Sequence, residues 1–435
     1  MRRDVLMLQG PIGPFFARFA EGLEQRGFRV WKINFNGGDS LFWRRERAID
    51  YTGGLEYWER YLERLVVNRR VGRIYLFGDC RSYHRIARGV ARRHNVRVFV
   101  FEEGYIRPNF ITLEEDGVNG HSPMIADPVR LDRQVAPLPP ELSVPRHVFW
   151  FTAVFSMAYY WACAFTRARY PHYRHHRPIG WFSEGLRWLR SGARKVLYRV
   201  RERRVMDTLL PQFDGNYFVC PLQVHCDMQV VVHSEFNSIE HFIGEVLASF
   251  ATHAPPNKAI VFKHHPLDRA YTDYTSLFAN LAAELGLQDR VFYVHDLDLP
   301  KLLRSAQGTV LINSTVGLSS LFHNTPVKTL GRAVYDLPGL TVQRALDEFW
   351  SAEERVDTAA FETYRANLVA RNQINGNLYR RISADDPAGI VWSARLLAEH
   401  SHEQGRPDVA ELGRLTLVEG GQGSGSRRRK GPKAA

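Results

Sequence analysis

Short apolar runs alternate with amphipathic helical stretches through the first hundred residues, and the same alternation returns after Tyr217. Val5–Gln9 reads as a strand, Phe15–Gln25 as an amphipathic helix closed by Gly27, and Arg29–Asn34 as the next strand. Leu55–Asn68 and Ser82–His94 read as helices, with Arg73–Phe77 and Arg97–Phe101 as strands. In the second stretch Tyr217–Cys220, Ala259–Lys263, Val291–Val294, Thr309–Ile312 and Val327–Leu330 read as strands. Ile239–Ala251, Tyr274–Leu285, Lys301–Ser305 and Leu318–His323 are the helices between them. Parallel neighbours need a crossover, so strands alternating with helices imply a parallel sheet covered on both faces. Two such units predict an α/β fold of two Rossmann-like domains facing a central cleft at the carboxyl ends of the strands. The expected division is 1–210 and 211–415, the latter including closing helices that pack on one or both domains. Residues 416–435, Gly/Ser-rich and then basic, read as a disordered tail.

The pattern breaks between the two units. Glu102–His121 and Pro137–Arg146 read as irregular, and a hydrophobic helical insertion occupies about 147–210. Within it Phe149–Phe165 is apolar and aromatic, flanked by Arg146, Arg167 and Arg169, and a basic helical segment runs from Glu184 to Leu210. Phe149–Phe165 is at the short limit for a bilayer of about 30 Å hydrocarbon thickness, so a buried helix, an interfacial helix and a span all stay open. The net charge of +12 calls for an anionic partner. No zinc-finger spacing, RNP-like motif or helix-turn-helix signal accompanies it, which disfavours nucleic acid and leaves an anionic membrane surface or anionic sugars. The cluster His172–Arg177 is suited to anionic lipid. Val5–Gln9 is too short for the apolar core of a signal peptide, and four cysteines without a CxxC pair suit a reducing compartment.

Five segments carry candidate chemistry. Gly10-Pro11-Ile12-Gly13 links a strand to a helix, where glycines let a ligand approach the helix N-terminus, or serve only a tight turn. It is not GxGxxG, and no acidic residue closes the second strand, which argues against a nicotinamide or flavin cofactor. Glu102-Glu103-Gly104-Tyr105-Ile106-Arg107-Pro108 ends a strand with two carboxylates, of which only one is expected to face the cleft. Such a group serves as base or as nucleophile at an anomeric carbon, and Arg107 would pair with it or hold an acidic substrate. Lys263-His264-His265-Pro266 ends a strand of the second unit; a metal lacks a third ligand there, whereas a histidine can donate to phosphate. Asn313-Ser314-Thr315-Val316-Gly317-Leu318 opens a helix with two hydroxyls and free N–H groups, suited to capping, to phosphate, or to both. Asp296-Leu297-Asp298 reads as helix capping before Pro300 rather than as a metal-binding DxD.

Taken together, these segments resemble the capsule polysaccharide biosynthesis family of the KpsS/LipB type, over roughly Asp4 to Leu340. Phe35-Asn36-Gly37-Gly38-Asp39 and Phe77-Gly78-Asp79 add to the likeness, and bring Asp39 and Asp79, with Gly10 and Gly13, into the candidate substrate-binding set. The resemblance implies a GT-B fold and a metal-independent transferase acting on CMP-Kdo, an eight-carbon acidic sugar nucleotide, with no cofactor. It implies a phosphatidylglycerol-type lipid acceptor on which a poly-Kdo linker begins, other capsule assembly proteins as partners, and a cytoplasmic place on the inner face of the membrane. By the same likeness His265, with Lys263, would meet the donor phosphate, Ser314, Thr315 and Gly317 would cradle it, and Glu102 and Glu103 would be catalytic. Glu103 stands where related Kdo transferases carry Asp; retention of configuration would make it the nucleophile, with a base role still open. A donor such as CMP-sialic acid or a UDP-sugar, and a non-catalytic export partner, are the alternatives.

Overall fold

The computed structural model describes residues 4–131, 141–144, 148–175 and 181–400. The expected tail, Arg146, Arg177 and most of Pro137–Arg146 lie outside the described residues. Among the described residues twelve strands form two sheets. The first half supplies β1 (Asp4–Met7), β2 (Arg29–Asn34), β3 (Ala48–Asp50), β4 (Val71–Phe77), β5 (Arg97–Glu103) and β6 (Phe110–Glu115). The second supplies β7 (Tyr217–Pro221), β8 (Ala259–Lys263), β9 (Val291–Val294), β10 (Gly308–Leu311) and β11 (Val327–Thr329), and β12 (Gln373–Asn375) follows. The sheet orders are β12-β6-β5-β4-β1-β2-β3 and β11-β10-β7-β8-β9. In each, the first strand lies centrally and the fourth starts the opposite wing, the order of a Rossmann half. The result is the expected GT-B-like α/β architecture, with topological switch points between β1 and β4 and between β7 and β10.

Side-chain alternation along β1 explains why both sheet faces are buried. Val5 and Met7 join Phe15, Phe19 and Leu23 in one layer, while Leu6 and Leu8 join Trp58, Leu62 and Val90 in the other. Burying each large side chain contributes roughly 1.5–3 kcal/mol, so neither layer is dispensable.

Two features depart from the expectation. The region read as irregular contains β6, antiparallel to β5 with Glu102 opposite Thr112 and Glu103 opposite Ile111. Its apolar alternation is masked by the buried polar residues Thr112 and Glu114. Glu114 accepts hydrogen bonds from Ser122 (2.6 Å), Asn372 (2.6 Å) and the Tyr105 hydroxyl (2.9 Å). Secondly, the closing segment returns to the first sheet: β12 pairs with β6, and Leu396 of helix Ala394–His400 packs with Phe99 and Tyr75. A boundary that keeps the whole of 211–415 with the second half therefore separates β12 from the sheet it completes. Between the halves, Tyr105, Met124 and Val129 share one apolar cluster with Leu311, Leu318, Tyr335, Phe361 and Tyr364.

Helix Val148–Phe165 docks on the short helix Gly37–Phe42. A Cβ on Gly37 would stand 1.9 Å from Thr166 Oγ1 and 2.6 Å from the Ala162 carbonyl oxygen, and one on Gly38 would stand 2.3 Å from the Tyr159 ring. Gly37→Ala is therefore expected to destabilise the fold by about 1–3 kcal/mol, through overpacking against backbone. Equilibrium urea denaturation checks this; an unchanged midpoint would mean that the helix is not seated as described.

Candidate functional site

The loop that follows β5 brings Arg107 of the first half into electrostatic reach of His265, which follows β8 in the second. Glu102 and Glu103 leave β5 on opposite faces, as strand geometry demands. Glu102 turns towards the end of β4: its Oε1 accepts the Glu103 N–H at 3.0 Å, and a Cβ on Gly78 would stand 3.6 Å from its Oε2. Loss of solvent, and the Glu103 and Asp79 carboxylates, push Glu102 up to about 7 against the pull of Arg81. On the other face, Glu103 Oε1 accepts the Tyr379 hydroxyl at 3.2 Å. Arg107, whose Nε donates to the Gly104 carbonyl at 3.3 Å, is exposed beyond them.

His265 sits half-buried after β8. Its Nδ1 accepts the Leu267 backbone N–H at 3.2 Å, so a neutral ring carries its proton on Nε2. Burial first, then the nearby charges of Arg107 and Lys263, hold it down to about 4, against Asp268 and Asp227. It is thus an uncharged donor near neutrality. The adjacent His264 points inward, with Nδ1 2.7 Å from the Tyr293 hydroxyl, so the two histidines do not share an ion. Lys263 is buried and donates to the His295 carbonyl at 3.1 Å, away from His265. Asp298 caps the helix Leu299–Arg304 and Asp296 takes Arg199 and Arg269, which leaves the DxD in the structural role expected of it.

Across the second switch point, Gln223 after β7 binds both Asp227 (3.2 Å) and Asn313 (3.0 Å), tying the loop beyond β10 to the loop whose Asp227 charge bears on His265. Ser314 Oγ accepts the Val316 N–H at 3.3 Å, and both Ser314 and Thr315 stay half-exposed. Gly317 is a packing residue, since a Cβ there would meet the Tyr335 hydroxyl at 2.3 Å.

The remaining residues form two further groups. Gly10, Gly13 and Asp39 line one small cavity with Lys32, Trp43 and Tyr159. Phe16 fills the space beside Gly10, and Phe155 of the apolar helix lies against Gly13, whose φ is +118°. That helix therefore covers the first glycine loop. Asp39 accepts the Phe35 N–H at 3.0 Å, and Gln9 above it donates to the hydroxyls of Tyr159 (3.0 Å) and Tyr173 (2.9 Å) while accepting from Arg81 (2.9 Å). Asp79 is fully buried beneath Arg88 (3.2 Å) and His121 (2.8 Å), a separate group next to Glu102. Sequence reasoning missed Tyr379, Arg81, Gln223 and Asp227. Asp227 had a local signal, as the N-cap of helix Met228–His233, but nothing near Tyr379 in the chain announces a partner at Glu103.

Comparison with known proteins gives the family. The family model described as "Capsule polysaccharide biosynthesis protein" matches residues 73–379. The chain is 39% identical over 378 residues to "Capsule polysaccharide export protein KpsS" of Escherichia coli, covering 87% of this chain and 97% of that one. It is 38% identical over 389 residues to "Capsule polysaccharide modification protein LipB" of Neisseria meningitidis serogroup A, covering 87% and 92%. Among solved structures, "Thermosulfurimonas dismutans KpsC, beta Kdo 2,7 transferase" aligns over 96% of this chain and 100% of that one, at 14% identity and a TM-score of 0.44.

Proposed function

The chain belongs to the capsule polysaccharide biosynthesis family, and from that premise we propose that it is a glycosyltransferase moving Kdo from CMP-Kdo to a phosphatidylglycerol-type lipid. The observation that supports this reading is that Arg107, four residues after Glu103 at the end of β5, lies close enough for its charge to bear on His265 from the other half. Although Glu102 and Glu103 leave the strand on opposite faces, their carboxylates end close enough for the charge of Glu103 to bear on Glu102, and their unlike environments suit two roles about one anomeric carbon, nucleophile and proton carrier. Glu103, oriented by Tyr379, attacks the anomeric carbon as the bond to the CMP phosphate breaks, giving a glycosyl-enzyme ester. Glu102 then takes the proton of the acceptor hydroxyl as that oxygen displaces Glu103, with net retention. His265 Nε2–H and the Arg107 guanidinium receive the leaving phosphate, which replaces a divalent ion with preorganised donors. Arg107 is also a partner for the Kdo carboxylate.

Transfer from CMP-Kdo to a phosphatidylglycerol analogue by purified protein in EDTA is the direct test. Turnover is expected without added Mg²⁺ or Mn²⁺. CMP binding without turnover would redirect the search to CMP-sialic acid, a UDP-sugar or another acceptor. Absence of both would favour a non-catalytic role in export; the Escherichia coli relative is named an export protein.

A lipid acceptor calls for a membrane-facing surface. Among the described residues no helix is long and apolar enough to cross a membrane. Helix Val148–Phe165 is instead two-sided. Phe155 and Tyr159 face the protein, while Trp150, Val154, Met157, Trp161 and Phe165 form an exposed apolar stripe at helical spacing. Helix Trp181–Arg201 exposes Leu189, Val196 and Val200 beside Arg190 and Lys195. We read this as an interfacial surface resting on the inner face of the cytoplasmic membrane. Val154→Glu with Met157→Glu should weaken binding to phosphatidylglycerol vesicles roughly tenfold or more while leaving the melting temperature in place. Unchanged sedimentation with vesicles would remove the interfacial reading and leave the transferase reading standing.

A further inference from the structure

Beside the cleft, one residue after the buried Asp79, a thiol and two imidazoles converge. Cys80, His121 and His233 each offer a ligand atom, and these atoms lie within 4.8 Å of one another. Cys80 and His121 come from the first half, His233 from the end of helix Met228–His233 in the second. The Cys80 sulfur is 3.8 Å from His233 Nε2, and the two imidazole rings meet edge to face with centroids 4.4 Å apart. A tetrahedral zinc ion, with bonds of about 2.0–2.3 Å, sets its ligand atoms roughly 3.3–3.8 Å apart, so a small side-chain adjustment brings all three into range.

The surroundings resemble those of a metal site rather than an accidental contact. Asp79 holds His121 through Nδ1 at 2.8 Å, leaving Nε2 as the ring atom open to an ion, and a carboxylate behind a ligating imidazole is the usual orienting partner. Gly120 makes room for the clasp: a Cβ there would stand 2.3 Å from the His233 ring. The approach of the second half to the first at this point thus depends on the missing side chain.

We propose that Cys80, His121 and His233 form a zinc-class cation site that clasps the two halves of the protein. One thiolate with two imidazoles selects a borderline-soft ion over Mg²⁺ or Ca²⁺, and leaves a fourth position for water or an exogenous ligand. The ion takes no part in the transfer described above, so the two readings fail separately.

The full-length protein, stripped by chelator and kept reduced, is titrated with Co²⁺ and then Zn²⁺. One equivalent of Co²⁺ is expected to produce a thiolate-to-cobalt charge-transfer absorption that Zn²⁺ abolishes. Cys80→Ser should lose that absorption, His233→Ala should weaken binding at least tenfold, and Cys163→Ser and Cys226→Ser should retain it. Zn²⁺ should raise the melting temperature of the wild type and not of Cys80→Ser. If a variant folds poorly, X-ray absorption of the zinc-loaded wild type decides alone, with one sulfur and two imidazole nitrogens expected. No charge-transfer absorption in the wild type, its persistence in Cys80→Ser, wild-type affinity in His233→Ala, or an all-oxygen shell would each overturn the site.

Discussion

Glu103→Gln is expected to lower the transfer rate by roughly 10³-fold or more while CMP affinity stays within about threefold. The side chain keeps its size and its hydrogen bond from Tyr379, but an amide cannot form the glycosyl ester. In the wild type the ester on Glu103 should be trapped by rapid quench and located by peptide mass spectrometry, and the product should retain configuration. Glu102→Gln should cost a comparable ~10²–10⁴-fold for a different reason, the loss of the proton acceptor. The two variants separate by pH. Glu102 is pushed up to about 7, chiefly by burial, and its working form is the ionised one. Activity should therefore fall as pH drops through about 7 and level off above it, and the acidic limb should vanish from what remains in Glu102→Gln. If product forms with inversion, the ester is not an intermediate and the carboxylate acting as sole base replaces this scheme. If Glu103→Gln turns over as the wild type does, the assignment of the nucleophile is wrong.

The architecture was legible because each strand buried on both faces reads as a short apolar run, and each helix as a 3.6-residue stripe. β6 was not, because Thr112 and Glu114 interrupt its apolar pattern for the sake of a buried hydrogen-bond network completed by Asn372 from the far end of the chain. The same distance hid Tyr379 at Glu103 and β12 at the sheet edge: contacts made across more than 250 residues leave no local trace. The site showed a similar division. Strand ends drew attention to Glu102, Glu103 and His265 because side chains at the carboxyl ends of parallel strands border the cleft; of that set the structure brings Arg107, from the same run as the two glutamates, to bear on His265. Neighbouring residues that looked equivalent were sorted by the sheet itself. Lys263 and His264 turn into the protein while His265 turns out, and Gly37, Gly38 and Gly317 each stand where a Cβ would collide with a neighbour.

His265→Ala should lower kcat/KM by about 10²–10³-fold, the usual cost of removing one preorganised donor from a developing negative charge. Much of that loss should appear in kcat, because the leaving phosphate carries more charge in the transition state than in bound CMP-Kdo. His265→Gln, which can still present an N–H, should recover part of it. The pH profile decides how the residue acts. With Nδ1 accepting the Leu267 N–H and the ring held down to about 4, the donor is neutral across the working range. It should contribute no loss of activity as pH rises through 6.5, which is where a cationic histidine would lose its charge. The limb assigned to Glu102 runs in the opposite direction, so a profile rising towards pH 7 and then flat requires both assignments together. A profile that falls between pH 6 and 7, and loses that fall in His265→Ala, would make His265 a cationic phosphate binder. Arg107, exposed at the mouth of the same cleft, would then be free to serve the sugar carboxylate alone.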